Sequence, residues 1–130
     1  MLRELLLPIL LLEPLLASAE APALHEDNGS PQQLSAHDLQ RACAASSLTE
    51  TGRQRRRFCS GFISGVEEGV RILQMQHRMD KSVCLPPQVS TRALTNAFID
   101  YTTRHPGQVG QPAAQLVIDA LSQAYPCERR

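Results

Sequence analysis

Tryptophan is missing from this 130-residue sequence, and its aromatic residues are only three Phe and two Tyr. All five fall between positions 58 and 125, which places the core in that part of the chain. Neither sign of charge prevails: 13 Lys and Arg balance 13 Asp and Glu, so no whole-molecule field draws in nucleic acid. After residue 19, no run comes near the roughly 20 apolar residues that span a bilayer. Cysteines two to four apart and histidines three to five apart are both absent, which removes the usual zinc signatures and the Cys-x-x-Cys redox pair. No stretch alternates as a strand does, and none repeats. These absences leave a short chain with room for one domain and one modest core.

What is present centres on residues 58–70, Phe58-Cys59-Ser60-Gly61-Phe62-Ile63-Ser64-Gly65-Val66-Glu67-Glu68-Gly69-Val70. Phe58, Phe62, Ile63, Val66, Val70 and Leu73 recur at helical spacing, which predicts a long central helix. Gly61, Gly65 and Gly69 stand four apart, so they drift by roughly 40° per step and form one shallow helix-packing groove. Each Gly costs about 1 kcal/mol against Ala in a helix interior, a cost that close approach of a neighbouring helix or a dimer mate would offset.

Residues 1–19 carry Arg3, a leucine-rich run and Ala17-Ser18-Ala19, the pattern of a secretory signal peptide cleaved after Ala19. A retained, membrane-anchored N-terminus is the alternative reading, since Glu4, Glu13 and Pro14 fit a leader poorly. Residues 20–34 mix Pro, Gly and polar residues without period and read as a flexible linker. A helical domain over 35–127 follows, then a tail over 128–130. Ser35 is the expected N-cap of a first helix running to about Ala45, with Leu39, Ala42 and Cys43 on one face. Residues 46–52 read as a turn that Gly52 closes. Arg53, Arg55, Arg56 and Arg57 then read as the solvated first turn of helix two, with an anion or nucleic-acid patch as the alternative. So much positive charge at a helix N-terminus opposes the macrodipole, which argues for a start before Arg53.

Helix two runs to about Gln76, and residues 77–83 form an exposed loop that leads to Cys84-Leu85-Pro86-Pro87. Ser90 caps helix three, whose core face is Leu94, Ala97, Phe98 and Tyr101, and Pro106-Gly107 stops it. Pro112 suits the first turn of helix four, with Ala113, Leu116, Val117, Ala120, Leu121 and Ala124 on one side. The expected fold class is all-α: a small disulfide-stapled bundle of about four helices.

No reaction centre emerges. Gly61-Phe62-Ile63-Ser64-Gly65 is not the G-x-S-x-G of a nucleophile elbow. Glu67 and Glu68 are adjacent, so on a helix they point about 100° apart and cannot flank one bond. His25, His37, His77 and His105 converge on nothing. No catalytic residue, metal ligand or cofactor is assigned. An even number of cysteines behind an export signal predicts two disulfides in an oxidising compartment. Three pairings are possible. Cys43 with Cys59 and Cys84 with Cys127 is preferred, because the first ties helix one to helix two and the second ties the Cys-Leu-Pro turn to the C-terminus.

Cys43, Phe58-Cys59-Ser60-Gly61-Phe62-Ile63-Ser64-Gly65, Cys84-Leu85-Pro86, Tyr101 with His105-Pro106, and Ala124-Tyr125-Pro126-Cys127, in that order, resemble the periplasmic immunity proteins of type VI secretion, the Tai/Rap type. Phe62 stands where that pattern has Tyr. The resemblance implies an all-α domain with intramolecular disulfides, often a homodimer, that blocks the active-site groove of a peptidoglycan amidase effector. The function expected is therefore a non-enzymatic periplasmic inhibitor whose partner is a secreted cell-wall amidase, with no nucleic acid and no membrane once the leader is removed. Loops on a rigid scaffold commonly carry recognition, so His77, Arg78, Met79, Asp80 and Lys81 are the first candidate contacts, and residues 105–111, led by His105, the second. The alternative is a periplasmic stress-response or chaperone-like helical protein that binds unfolded clients.

Overall fold

The computed structural model describes residues 32–128. The expected leader, its cleavage after Ala19, nearly all of the 20–34 linker and the end of the tail lie outside the described residues. The helices are α1 (Ala36–Cys43), α2 (Glu50–Met75), α3 (Thr91–Arg104) and α4 (Ala113–Ala124), with a short 3-10 turn at Pro106–Gln108. The fold is an all-α bundle stapled by two disulfides, as its periodicities and cysteines predict.

Local chemistry sets where the helices begin. Ser35 caps α1: its Oγ accepts from the Asp38 amide at 3.1 Å and donates to Asp38 Oδ2 at 2.7 Å. Ser90 does the same for α3 through the Ala93 amide at 3.1 Å. Where α1 and α4 begin, each satisfies the other. The Ala36 and His37 amides donate to Gln111 O and Val109 O, and the Ala113 amide donates to Leu34 O, all at 2.8 Å. First-turn amides have no acceptor inside their own helix, so this reciprocal set, with its isolated Ser35–Pro112 bridge, welds residues 109–112 to α1.

Leu39, Ile63, Phe98, Leu116, Val117 and Leu121 are fully buried between the four helices. The one buried polar residue among those described, Thr102, donates its hydroxyl to Phe98 O at 3.0 Å, so its burial leaves nothing unpaired. Cys43 pairs with Cys59 and Cys84 with Cys127, with Cα separations of 5.1 and 4.9 Å. These are the two expected bridges. Their sequence separations of 16 and 43 residues correspond to about 3 and about 4 kcal/mol in a chain-entropy treatment. No described helix is long and apolar enough to cross a membrane.

Several boundaries differ from expectation. Helix one ends at Cys43 rather than near Ala45. Helix two starts at Glu50, before Arg53 as the arginine run argues, and is capped by Thr49, whose side chain accepts from the Gly52 amide at 3.0 Å. Starting earlier brings an acidic residue into the first turn, where Glu50 pairs with Arg53 at 2.6 Å, in line with the macrodipole. Gly52 therefore does not close a turn; it lies inside α2, beneath the 46–49 segment. A Cβ there would stand 1.8 Å from Ser46 O, so only Gly permits this approach. Pro112 caps α4 instead of entering it. Ala124 faces solvent, and Tyr125, next in the chain, packs on the core in its place.

Gly52→Ala should lower stability by about 1–3 kcal/mol, because the clash is with backbone that must shift. Gly61→Ala, where an added Cβ meets nothing within 4 Å, should leave the melting temperature unchanged or raise it slightly. Thermal melts of the two variants beside the parent test this contrast.

Candidate functional site

Met75 ends α2, and the chain leaves it through a Schellman motif. The Arg78 amide donates to Leu73 O at 2.9 Å and the His77 amide to Gln74 O at 3.2 Å. The residue between helix and loop is His77, with φ of 53°. Glycine is the usual occupant of that left-handed position, and an L-residue there costs about 1 kcal/mol or more. An exposed imidazole is thus held in a conformation that the fold alone would give to glycine.

The far side of the loop is clamped by one carboxamide. Gln74 Oε1 accepts from the Ser82 amide at 2.9 Å and the Val83 amide at 3.1 Å, and Gln74 Nε2 donates to Val83 O at 2.9 Å. The Cys84 amide then donates to Tyr125 O at 2.9 Å, beside the Cys84–Cys127 bridge. Residues 77–82 are consequently tied at both ends. His77 and Lys81 border a groove of about 440 Å³ with Arg71, Gln74, Met75 and Cys84. Arg71 is held there by Glu67 at 3.6 Å and Glu68 at 3.9 Å.

The candidate contacts divide. His77, Arg78, Asp80 and Lys81 are exposed. Met79, expected among them, is half-buried and packs on the core: it anchors the loop, because an apolar thioether gains more there than in water. His105 does not line the groove. It caps α3, its ring stacks on Tyr101 at 4.1 Å, and its Nδ1 donates to Tyr101 O at 2.8 Å. Residues 109 and 111 already engage α1 through their carbonyls, so the 105–111 segment is part of the framework.

Gly61, Gly65 and Gly69 do form a stripe, but no element among the described residues packs on it, and an added Cβ would meet nothing within 4 Å at any of the three. At about 100° per residue, Phe58, Gly61, Phe62, Gly65, Gly69, Ile72 and Leu73 share an arc of roughly 120°, whereas Cys59, Ile63 and Val70 point into the core. Phe58 is 52% exposed, Ile72 44% and Leu73 41%. The Phe58 and Phe62 rings lie 6.1 Å apart. No charged residue falls within the arc between positions 58 and 73. Of the two occupants expected for this groove, a neighbouring helix or a dimer mate, no described helix fills it, and it forms an apolar face turned to solvent.

Sequence reasoning misses Gln74 and Arg71, because their roles depend on partners or walls that only the folded loop brings near. The positive φ of His77, just past the end of α2, leaves no mark in the sequence either, since His replaces the telltale Gly.

A family model described as Rap1a immunity proteins matches residues 35–127. The match runs from the α1 cap to the last cysteine and includes all four helices. No curated protein and no solved structure matches the chain.

Gln74→Leu strands two amides and one carbonyl, and should destabilise the chain by about 1–3 kcal/mol. Hydrogen exchange should show the Ser82 and Val83 amides opening far faster, while the Leu39 and Ile63 amides keep their protection relative to global stability.

Proposed function

The chain belongs to the Rap1a immunity protein family, and from that premise we propose that it is a non-enzymatic periplasmic inhibitor that binds a type VI secreted peptidoglycan amidase and covers its active-site groove. The family match over 35–127 carries this reading. Two further features support its details. A leader over residues 1–19, cleaved after Ala19 and followed by a linker over 20–34, delivers the domain to the periplasm, where disulfides such as Cys43–Cys59 and Cys84–Cys127 persist. The clamped loop supplies the contact surface: His77, Arg78, Asp80 and Lys81 project from a scaffold that loses little entropy on docking.

The glycine stripe of α2 serves as the homodimer contact in this account. Small residues let two helix backbones approach closely, and Phe58, Phe62, Ile72 and Leu73 supply apolar area around them. Two copies of an uncharged, self-complementary arc meet through an isologous contact, as twofold dimers require.

Co-expression with a type VI secreted peptidoglycan amidase that this chain neutralises should rescue cells from lysis and give a complex that co-purifies. Lysis without rescue, together with no co-purification, would contradict the inhibitor reading. Gly65→Leu should leave the monomer as stable as the parent or more so by up to about 0.8 kcal/mol, yet abolish dimerisation in sedimentation runs. Unchanged association would remove the stripe from the interface. His77→Gly should keep or raise stability by up to about 1 kcal/mol while weakening effector binding, a combination that a purely structural histidine does not give.

A further inference from the structure

Between the N-terminal halves of α2 and α3 lies a crevice of about 320 Å³ that the loop and the glycine stripe do not explain. Arg56 and Arg57 reach it from α2, Thr91, Arg92, Thr95 and Asn96 from α3, and the Cys43–Cys59 bridge lies against it. No carboxylate lines it. Arg57 has Glu50 at 3.9 Å, but that carboxylate is already held by Arg53 at 2.6 Å. Arg56 and Arg92 make no ion pair among the described residues.

Three further facts point the same way. Thr91 and Arg92 are the first two residues of α3, so the positive end of its macrodipole adds to the three guanidinium charges. Thr95 Oγ1 is buried and has no hydrogen-bond partner; a buried hydroxyl without a partner is the exception in folded proteins. The α2 wall of the crevice is also fixed at its base, because the Cys43–Cys59 bridge that lines it ties α2 to the end of α1.

We propose that this crevice is a docking site for an acidic segment of a protein partner, one that carries at least two carboxylates. Guanidinium forks match carboxylate oxygens in paired hydrogen bonds. One carboxylate is accepted between Arg92 and the Thr95 hydroxyl, which then gains an acceptor, and the next meets Arg56 and Arg57. The volume exceeds what a single small oxyanion fills, and the arginine-rich, aromatic-free wall suits a peptide better than a nucleobase, which needs a stacking surface. The inference rests on the reading of this chain as a protein-binding protein, but not on the identity of the effector.

The test uses the full chain without any effector and a fluorescein-labelled hexaglutamate peptide as the probe. Anisotropy titration should show binding that Arg92→Glu and Arg56→Glu each weaken about tenfold or more. Arg92→Lys, which keeps the charge and loses the fork, should weaken it less. Thr95→Val should weaken it with no change of charge. Arg55→Glu makes the same charge change on α2 outside the crevice and should leave binding intact, with circular dichroism confirming that every variant is folded. Equal losses in Arg55→Glu and Arg92→Glu would reduce the effect to net charge and overturn the site, as would a Thr95→Val variant indistinguishable from the parent. Binding of inorganic phosphate without binding of the peptide would overturn the acidic-segment assignment. A failed titration leaves rescue from lysis untouched, so the two readings fall separately.

Discussion

One constraint governs the rest of the molecule: α2 is fixed at both ends by bonds that leave most of its circumference free. At its start, the 46–49 segment lies so close over Gly52 that a methyl group would meet Ser46 O at 1.8 Å, and the Cys43–Cys59 bridge ties its first turns to α1. At its end, the Schellman motif at His77 and the three hydrogen bonds of Gln74 fold the loop back on the helix. A helix of 26 residues held this way gives one face to the core, Cys59, Ile63 and Val70 with Phe62 and Val66 packed beside them. The other faces are available for contacts.

Those faces have different chemistries. One is the uncharged arc of Phe58, Gly61, Phe62, Gly65, Gly69, Ile72 and Leu73. The opposite edge carries the arginine crevice near the start of α2 and the groove of Arg71, Gln74 and Met75 near its end. A small domain gains several surfaces from a single element this way, without long loops whose ordering would oppose binding. The disulfides hold those surfaces in place in a chain too short to rely on a large core.

What the sequence discloses is the part that local chemistry decides. Ser35 and Ser90 announce their caps because a cap needs only a hydroxyl and the amide three residues on. The disulfide pairing is legible because the helix ends are. The core face of α2 is not, because two apolar arcs share one helix: Phe58 and Leu73 belong to the solvent face, Ile63 and Val70 to the core, and periodicity alone merges them. Met79 reads as a loop residue by its charged neighbours, yet it turns inward. Gly52 and Gln74 are set by backbone carbonyls and amides that approach only after folding, and Arg92 joins Arg56 only across the α2–α3 seam. Contacts of that kind have no period and no motif.

The central claim of the proposed function is that effector binding is carried by the clamped loop at the end of α2, with the remainder of the bundle as support. Hydrogen exchange of the chain alone and in complex with the effector that it protects cells against in the co-expression assay measures this directly. The account predicts added protection at residues 77–81 and in the last turn of α2 beside them, with α4 and residues 105–111 unchanged. Protection confined to α4 or to residues 105–111, with 77–81 unaffected, would contradict it.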